Sequence, residues 1–256
     1  MITKGRYLYG LIRTSRDIEL GDIGLAHNGA PARVFTLRVD SLAAVVSELS
    51  AKQKILPLRK NLDPHHKVIR EVMKTQTIVP MTFGHVAGSE AEIARALRRN
   101  RDSICEQLDR VDGTVEMGLK VMWDVDNLFA HFVAEDPALS AFRDQLFGRA
   151  YPPTTSEQIE IGRMFEARLD REREEQTERV TELLLAGCSD VKANSLKHEK
   201  MVMDLALLIP RDKLGAFEQQ VYRVAATFPA HYVFTYSGPW APFHFVELDL
   251  RSSAAA

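Results

Sequence analysis

Val202–Pro210 has the sequence VMDLALLIP, an almost unbroken apolar stretch in the second half of the chain. A short apolar run that ends at a proline predicts a buried strand, because proline has no backbone donor for the next ladder bond. Asp212 then caps a predicted helix, which Pro229 ends. Tyr232–Tyr236 is rich in aromatic and branched residues and predicts the next strand. The apolar residues of the helix follow helical spacing and are Leu214, Phe217, Val221, Ala225 and Phe228.

The residues before this stretch extend the same pattern. Met117–Asp124 predicts a strand, and a long helical region follows it. Glu166–Glu182 consists mostly of Arg and Glu, which is typical of a helix that projects into solvent or bridges other elements. The order strand, helical insert, strand, helix, strand indicates a modified ferredoxin-like α+β unit. We therefore predict a C-terminal domain over residues 113–256, with a charged helical insert and a frayed tail at Ser252–Ala256.

The first half predicts a separate mixed α+β domain over residues 1–112. Tyr7–Ile12 is short, aromatic and apolar, which is typical of a buried strand. Leu42–Leu49 has apolar residues at helical spacing and predicts a helix. Ser89–Glu92 is a capping-box pattern that predicts the start of another helix. Asp112–Gly113 is a turn signal, and it marks the predicted boundary between the two domains.

Charge and composition exclude several classes of function. The 256 residues include 33 basic and 35 acidic side chains, so the net charge of -2 gives no field that would attract nucleic acid or an anionic membrane. Cys105 and Cys188 are too few for a disulfide framework. The longest apolar run, Leu205–Ile209, is far shorter than the roughly 20 residues that span a bilayer. Since the N-terminus also lacks a signal-peptide pattern, we expect a cytoplasmic protein.

His65 and His66 are the first residues to consider for metal binding. Asp63–Pro64 predicts the start of a helix, which puts both histidines in its first, solvated turn. Adjacent side chains on a helix point about 100° apart, so the pair cannot chelate one ion as residues one turn apart can. His198–Glu199 resembles the start of a zinc-protease helix, but Val202 occupies the position of the second histidine. The sequence therefore predicts no metal site.

Catalytic and cofactor patterns are also not found. Asp124 and Asp126 are interpreted as a polar strand end before a helix cap rather than a carboxylate pair. The chain has no phosphate-binding glycine loop and no nucleophile elbow. A local basic cluster fits the solvated face of an amphipathic helix better than a phosphate site, and its members are Arg95, Arg98, Arg99 and Arg101. We predict no catalytic residue and no cofactor.

Ser237–Phe245, with the sequence SGPWAPFHF, combines a glycine and two prolines with three large aromatic side chains. One interpretation is a rigid turn whose aromatic residues, Trp240 above all, close the domain core. The other is an anchor for a partner, since a stiff aromatic loop loses little entropy on binding. The position of Gly238–Pro239 directly after a predicted strand favours the core interpretation for Trp240.

The same segment resembles a known family. Tyr236–Phe245 is similar to the Gly-Pro-Trp-Pro-Pro-Tyr-x-Phe signature near the C-terminus of the gas vesicle protein F/L family. Ala241, Phe243 and His244 depart from that signature, and the departure at Phe243 removes a phenol hydroxyl. Three further stretches agree in kind and order, so the resemblance spans nearly the whole chain: Tyr7–Gly10, Ile78–Gly84 and Asp204–Ile209.

The resemblance implies a structural role for one set of motif residues. They are Tyr9, Gly10, Pro80, Phe83, Gly84, Gly238, Pro239, Trp240, Pro242 and Phe243. It also implies a two-domain, non-enzymatic accessory or minor structural protein that binds shell protein during gas vesicle assembly. The expected partners are the major shell protein and other gas vesicle accessory proteins, with no nucleic acid, membrane or small-molecule substrate. The alternative is a small-molecule-binding or enzymatic ferredoxin-like α+β protein, which a deep polar pocket would favour.

Overall fold

The computed structural model describes residues 4–27, 29–50 and 55–248 of the chain. The tail predicted at Ser252–Ala256 lies outside the described residues. Both units contain helices and strands, so the predicted α+β class is confirmed.

The chain divides into two compact units. One consists of Met1–Glu116 with Pro239–Ala256, and the other consists of Met117–Gly238. The second unit is thus inserted into the sequence of the first. We predicted from the sequence that residues 1–112 and residues 113–256 form two domains that fold separately. That division stays a prediction.

The first unit is built mainly from strands. Its strands are β1 (Lys4–Arg13), β2 (Glu19–His27), β3 (Ala30–Val39), β4 (Leu42–Ser50), β5 (Ile78–Pro80) and β6 (Val86–Ala87). Its helices are α1 (Arg59–Met73), α2 (Glu90–Arg99) and α3 (Arg101–Arg110), and β7 (Thr114–Trp123) leads from it into the second unit.

These strands form one antiparallel sheet in the order β2-β3-β4-β1-β5, and β6 also pairs with β1. Leu8 lies opposite Val46, and Gly10 lies opposite Val45. Tyr9 is therefore the extra residue of a β-bulge, which bends β1.

One face of the sheet packs against α2 and α3. The alternation of side chains along a strand puts Leu8 on this face and the neighbouring Tyr7 on the opposite one. The buried apolar residues of this face and its helices form one core, made of Leu8, Leu11, Leu42, Ala44, Val46, Val79, Met81, Ala87, Ile93, Leu97, Ile104 and Leu108.

The helix predicted over Leu42–Leu49 is wrong, because these residues belong to β4. This strand lies between β3 and β1 and pairs with both. Both of its faces are covered along Leu42–Val46, so it shows no polar alternation, and its apolar positions match helical spacing by coincidence. Asp40 has a φ of 55° in the turn that joins β3 to β4, a conformation that aspartate tolerates better than most residues.

Two predicted helix starts have different outcomes. The start at Asp63–Pro64 is wrong, because α1 begins at Arg59 and contains Pro64. The start at Ser89 is confirmed: its side chain accepts a hydrogen bond from the amide of Glu92 at 3.2 Å. The carboxylate of Glu92 accepts from the amide of Gly88 at 2.8 Å.

The second unit contains the apolar stretch Val202–Pro210. After β7 its elements are α4 (Leu128–Glu135), α5 (Pro137–Phe147), α6 (Thr155–Leu185), β8 (Asp190–Ala193), β9 (Met201–Pro210), α7 (Leu214–Ala225) and β10 (Tyr232–Trp240). The sheet order is β10-β7-β9-β8. The element order matches that of a ferredoxin-like unit with an enlarged first crossover: strand, helices, strand, strand, helix, strand. In β9 every residue from Met201 to Ile209 is buried, as the apolar run predicts.

Of the two alternatives for the charged helix, projection into solvent or bridging of other elements, α6 follows the second. It packs against β8, β9 and α7. Its buried positions include Leu169, Val180 and Leu184, which lie on one side between the charged residues. Among the described residues no helix has both the length and the apolar character needed to cross a membrane.

Candidate functional site

Gly10 and Pro80, two of the family-motif residues, lie directly opposite each other in the sheet of the first unit. A Cβ atom at Gly10 would lie 2.5 Å from Cδ1 of Ile78 and 2.8 Å from the carbonyl oxygen of Val79. Any side chain there would therefore push β1 away from β5. Pro80 fits because β5 is the last strand of the sheet, where a missing backbone donor is tolerated.

Replacing Gly10 with alanine is expected to lower the free energy of unfolding by about 1–3 kcal/mol, the usual cost of overpacking. Chemical denaturation measures this loss. Gly162→Ala is the matched control, because a Cβ there would meet nothing within 4 Å. The control should keep or slightly raise stability, since alanine favours a helix. Equal stability of both variants would contradict the close approach at Gly10.

A buried aromatic cluster lies on the face of the sheet that α1 covers. Tyr7 and Tyr9 of β1 and His65 of α1 are each 0% exposed. The two tyrosine rings meet edge to face, with centroids 4.9 Å apart. The His65 ring is 5.7 Å from each of them, and Phe83 closes the cluster at 5.6 Å from His65.

The tyrosine hydroxyls connect four segments of the chain. The Tyr7 hydroxyl is 2.9 Å from Nδ1 of His65 and accepts a hydrogen bond from the amide of Gly84 at 3.1 Å. The Tyr9 hydroxyl is 2.9 Å from Oγ of Ser47 and accepts from the amide of Leu25 at 2.8 Å. Each buried hydroxyl is thereby satisfied, which is the condition for burying a tyrosine without a large cost.

Gly84 holds its position in this network through its backbone. Its φ is 100°, a conformation that residues with a side chain rarely adopt. The turn that it makes presents its amide to the Tyr7 hydroxyl. Phe83, the residue before it, is half-buried against the ring of Tyr7 at 6.1 Å.

Burial sets the charge of this cluster. It raises the pKa of both tyrosines, so the phenols stay protonated. Burial, reinforced by the neighbouring His66 and opposed by the Met81 backbone, lowers the pKa of His65 to about 4. His65 is therefore neutral at pH 7, and its predicted place in a solvated turn is wrong, because α1 begins earlier and turns this residue towards the sheet. The cluster has the properties of a structural core rather than of an acid–base site.

The core interpretation of Trp240 in the C-terminal motif is wrong. Trp240 is 39% exposed, whereas Phe245 is 0% exposed. The reason is that the chain does not turn back at Gly238 and Pro239: β10 continues through both residues to Trp240. The bend comes later, at a short 3-10 helix formed by Phe243–Phe245.

A buried carboxylate holds the segment that follows Trp240. Glu116 is 5% exposed, and one of its oxygens accepts from the backbone amide of His244 at 2.9 Å. Its other oxygen is 2.6 Å from Nδ1 of the same histidine. Phe243 is half-buried and contacts the ring of His66 at 5.9 Å, while Pro242 is buried. The departures from the family signature at Phe243 and His244 are thus both accommodated by contacts.

Sequence reasoning missed the role of Glu116, the burial of His65 and a group in the second unit. A signal for Glu116 exists, because a single carboxylate between Val115 and Met117 in an apolar strand needs a partner. His131 and Glu135 are one helical turn apart, which is a visible metal-ligand spacing. No pattern in the sequence indicates that His231 would join them.

Comparison with known proteins agrees with this structure. The model of the family "Gas vesicle synthesis protein GvpL/GvpF" matches residues 5–247. Gas vesicle protein F1 of Halobacterium salinarum is 26% identical over 97% of this chain and 96% of its own length, and gas vesicle protein F of Microcystis aeruginosa is 25% identical over 96% and 100%. The crystal structure of GvpF from Anabaena sp. PCC7120 is 25% identical and superposes with a TM-score of 0.83, over 96% of this chain and 99% of that one. The resemblance found in the sequence is confirmed, and the chain belongs to the GvpL/GvpF family of gas vesicle synthesis proteins.

Proposed function

We propose that this protein is a non-enzymatic accessory or minor structural protein that binds the major shell protein while gas vesicles are assembled in the cytoplasm. Membership of the family supports a role in gas vesicle formation, since the family description and the names of the relatives refer to gas vesicles. Trp240 is the observation that carries the proposal of binding. A tryptophan that is 39% exposed in a family motif needs an explanation other than the core.

The backbone around Trp240 is fixed on both sides. The ring of Pro239 fixes the φ of Pro239 directly before Trp240. Ala241, the residue after it, is 2% exposed, and the carboxylate of Glu116 holds His244. A large ring on a backbone that is already ordered loses little entropy when it binds, and tryptophan is enriched among the residues that dominate binding energy. Such a ring is suited to bind an apolar partner, and the shell subunit is small and very apolar.

One cavity in the first unit gives little support to the small-molecule-binding or enzymatic alternative. A cavity of about 200 Å³ in the first unit, lined by Arg13, Thr77 and Asp112 among others, is smaller than the about 300–1,000 Å³ of typical ligand pockets. Three of its polar side chains are already paired: Arg13 donates to Asp109 at 2.8 Å, and the Thr77 hydroxyl donates to Asp112.

Replacing Trp240 with alanine is expected to weaken binding of purified shell protein by 2 kcal/mol or more, about 30-fold, as for a dominant interface residue. The unfolding midpoint should fall less than it would for a fully buried ring, because Trp240 is 39% exposed. Calorimetry or surface-immobilised binding measures the affinity. Tyr222→Ala is the control, since Tyr222 is another exposed aromatic residue, 60% exposed on α7.

In a vesicle-forming host with the gene deleted, electron microscopy should find absent or deformed vesicles and no lost metabolic activity. The wild-type gene and Tyr222→Ala should restore the vesicles, and Trp240→Ala should not. Normal vesicles in the clean deletion would refute the proposed role. Unchanged binding by Trp240→Ala would refute only the assignment of this surface.

A further inference from the structure

Two histidines and a glutamate meet in the second unit. His131 and Glu135 belong to α4, and His231 directly precedes β10. One possible ligand atom from each residue can be chosen so that all three atoms lie within 4.8 Å of one another. Nε2 of His131 is 3.6 Å from the carboxylate of Glu135, and the two imidazole rings are 4.7 Å apart. We propose that these three side chains form a binding site for a divalent transition-metal ion, with zinc as the best-fitting ion.

The backbone positions of the three residues are fixed by local structure. The side chain of Asn127 caps α4 by accepting from the amide of Ala130 at 2.9 Å. One turn into the helix, His131 and Glu135 then lie on the same face, since residues four apart are neighbours on a helix. The carbonyl of His231 accepts from the amide of Asp124 at 2.7 Å, which fixes this residue beside the end of β7.

Aromatic neighbours orient the two imidazoles. The ring of His131 meets Phe132 edge to face at 5.2 Å, and the ring of His231 lies 4.7 Å from that of Tyr232. Both histidines are half-buried, and Glu135 is exposed. The site is therefore open to an ion from solvent, while its nitrogen donors are held by packing.

The donor set matches the chemistry of zinc. Two neutral imidazoles and one carboxylate are a known set of three zinc ligands, with bonds of about 2.0–2.2 Å. Ligand atoms at such bond lengths are separated by roughly 3.3–3.6 Å around the ion. The separation of 3.6 Å between His131 and Glu135 agrees with that value. One ligand atom of His231 lies within 4.8 Å of the other two, so it must move closer for all three to bind one ion. The single negative charge attracts a cation, and nitrogen donors favour zinc, copper or nickel over magnesium and calcium.

Three protein ligands leave at least one coordination position for water. An ion here would link α4 to the start of β10, two segments far apart in the sequence, so we assign it a stabilising role in the second unit. This proposal is independent of the role of Trp240 and of shell binding.

The test uses the full chain after treatment with a chelator. Calorimetric titration with Zn²⁺ should give one ion per chain, and the ion should raise the melting temperature. Co²⁺ should bind at the same site and give the intense visible absorption of a four-coordinate centre. Mg²⁺ at the same concentration should produce neither effect.

Glu135→Gln and His231→Gln should each weaken Zn²⁺ binding by more than about 100-fold, because even the loss of an outer partner costs about 10–100-fold. Glu135 is exposed, so its replacement is expected to leave the fold intact, which circular dichroism checks. His198→Gln, at an exposed histidine outside the cluster, should bind Zn²⁺ as the wild type does. Wild-type affinity in both ligand variants, or several weak ions in place of one, would overturn the proposal.

Discussion

Replacing Phe245 with alanine is expected to lower the free energy of unfolding by about 3–5 kcal/mol, the usual cost of removing a buried aromatic ring. The ring is 0% exposed and belongs to the short 3-10 helix Phe243–Phe245. Its neighbour His244 is fixed by Glu116, so the segment cannot move freely to fill the cavity. A loss of this size is a large part of the roughly 5–15 kcal/mol that stabilises a typical domain.

Urea titration of Phe245→Ala beside Trp240→Ala measures the contrast. Trp240 is 39% exposed, so its truncation should cost less than that of the fully buried Phe245. Matching losses in the two variants, or a larger loss for Trp240→Ala, would show that the core ring has been assigned to the wrong aromatic residue.

A fall in pH from 7 to 4 is expected to lower the free energy of unfolding by about 3 kcal/mol through the protonation of His65 alone. The folded protein lowers the pKa of His65 from 6.5 to about 4. Between these two values the unfolded chain binds a proton that the folded chain excludes, so the free energy of unfolding rises with pH. The contribution is fully present above about pH 6.5 and is lost as the pH falls towards 4.

The measurement is the free energy of unfolding at pH 7 and at pH 4 for the wild type and for His65→Gln. Glutamine does not titrate, so this variant should lose about 3 kcal/mol less over the same interval. His198→Gln, at an exposed histidine, should keep the wild-type dependence. The buried neutral state of His65 would be contradicted by parallel pH profiles of the wild type and His65→Gln.

Local sequence patterns predicted those helices and strands whose conformation does not depend on residues far away in the chain. The apolar run of β9, the periodic residues of α7 and the cap at Ser89 each specify their structure within a few residues. Leu42–Leu49 lacks such a signal, because a strand covered on both faces has no polar alternation to distinguish it from a buried helix.

The sequence was enough to identify the motif residues of the candidate site. It was not enough to predict which of them are buried. The sequence identifies Gly10, Pro80 and Gly84 as motif residues, yet only the pairing of β1 with β5 explains the first two. Whether Trp240 or Phe245 closes the core depends on how far β10 continues, and no local residue preference determines that length. The same limit applies to His65, whose burial depends on the tertiary position of α1.

The insertion of one unit into the other has a consequence for synthesis on the ribosome. Glu116 is made before the second unit, whereas His244 and Phe245 are made after Gly238 ends it. The first unit therefore lacks the buried ring of Phe245 until Met117–Gly238 has been translated. At about 5–20 residues per second, this interval lasts on the order of ten seconds. During that time the site of Phe245 stays unfilled, and the carboxylate of Glu116 lacks its His244 partner.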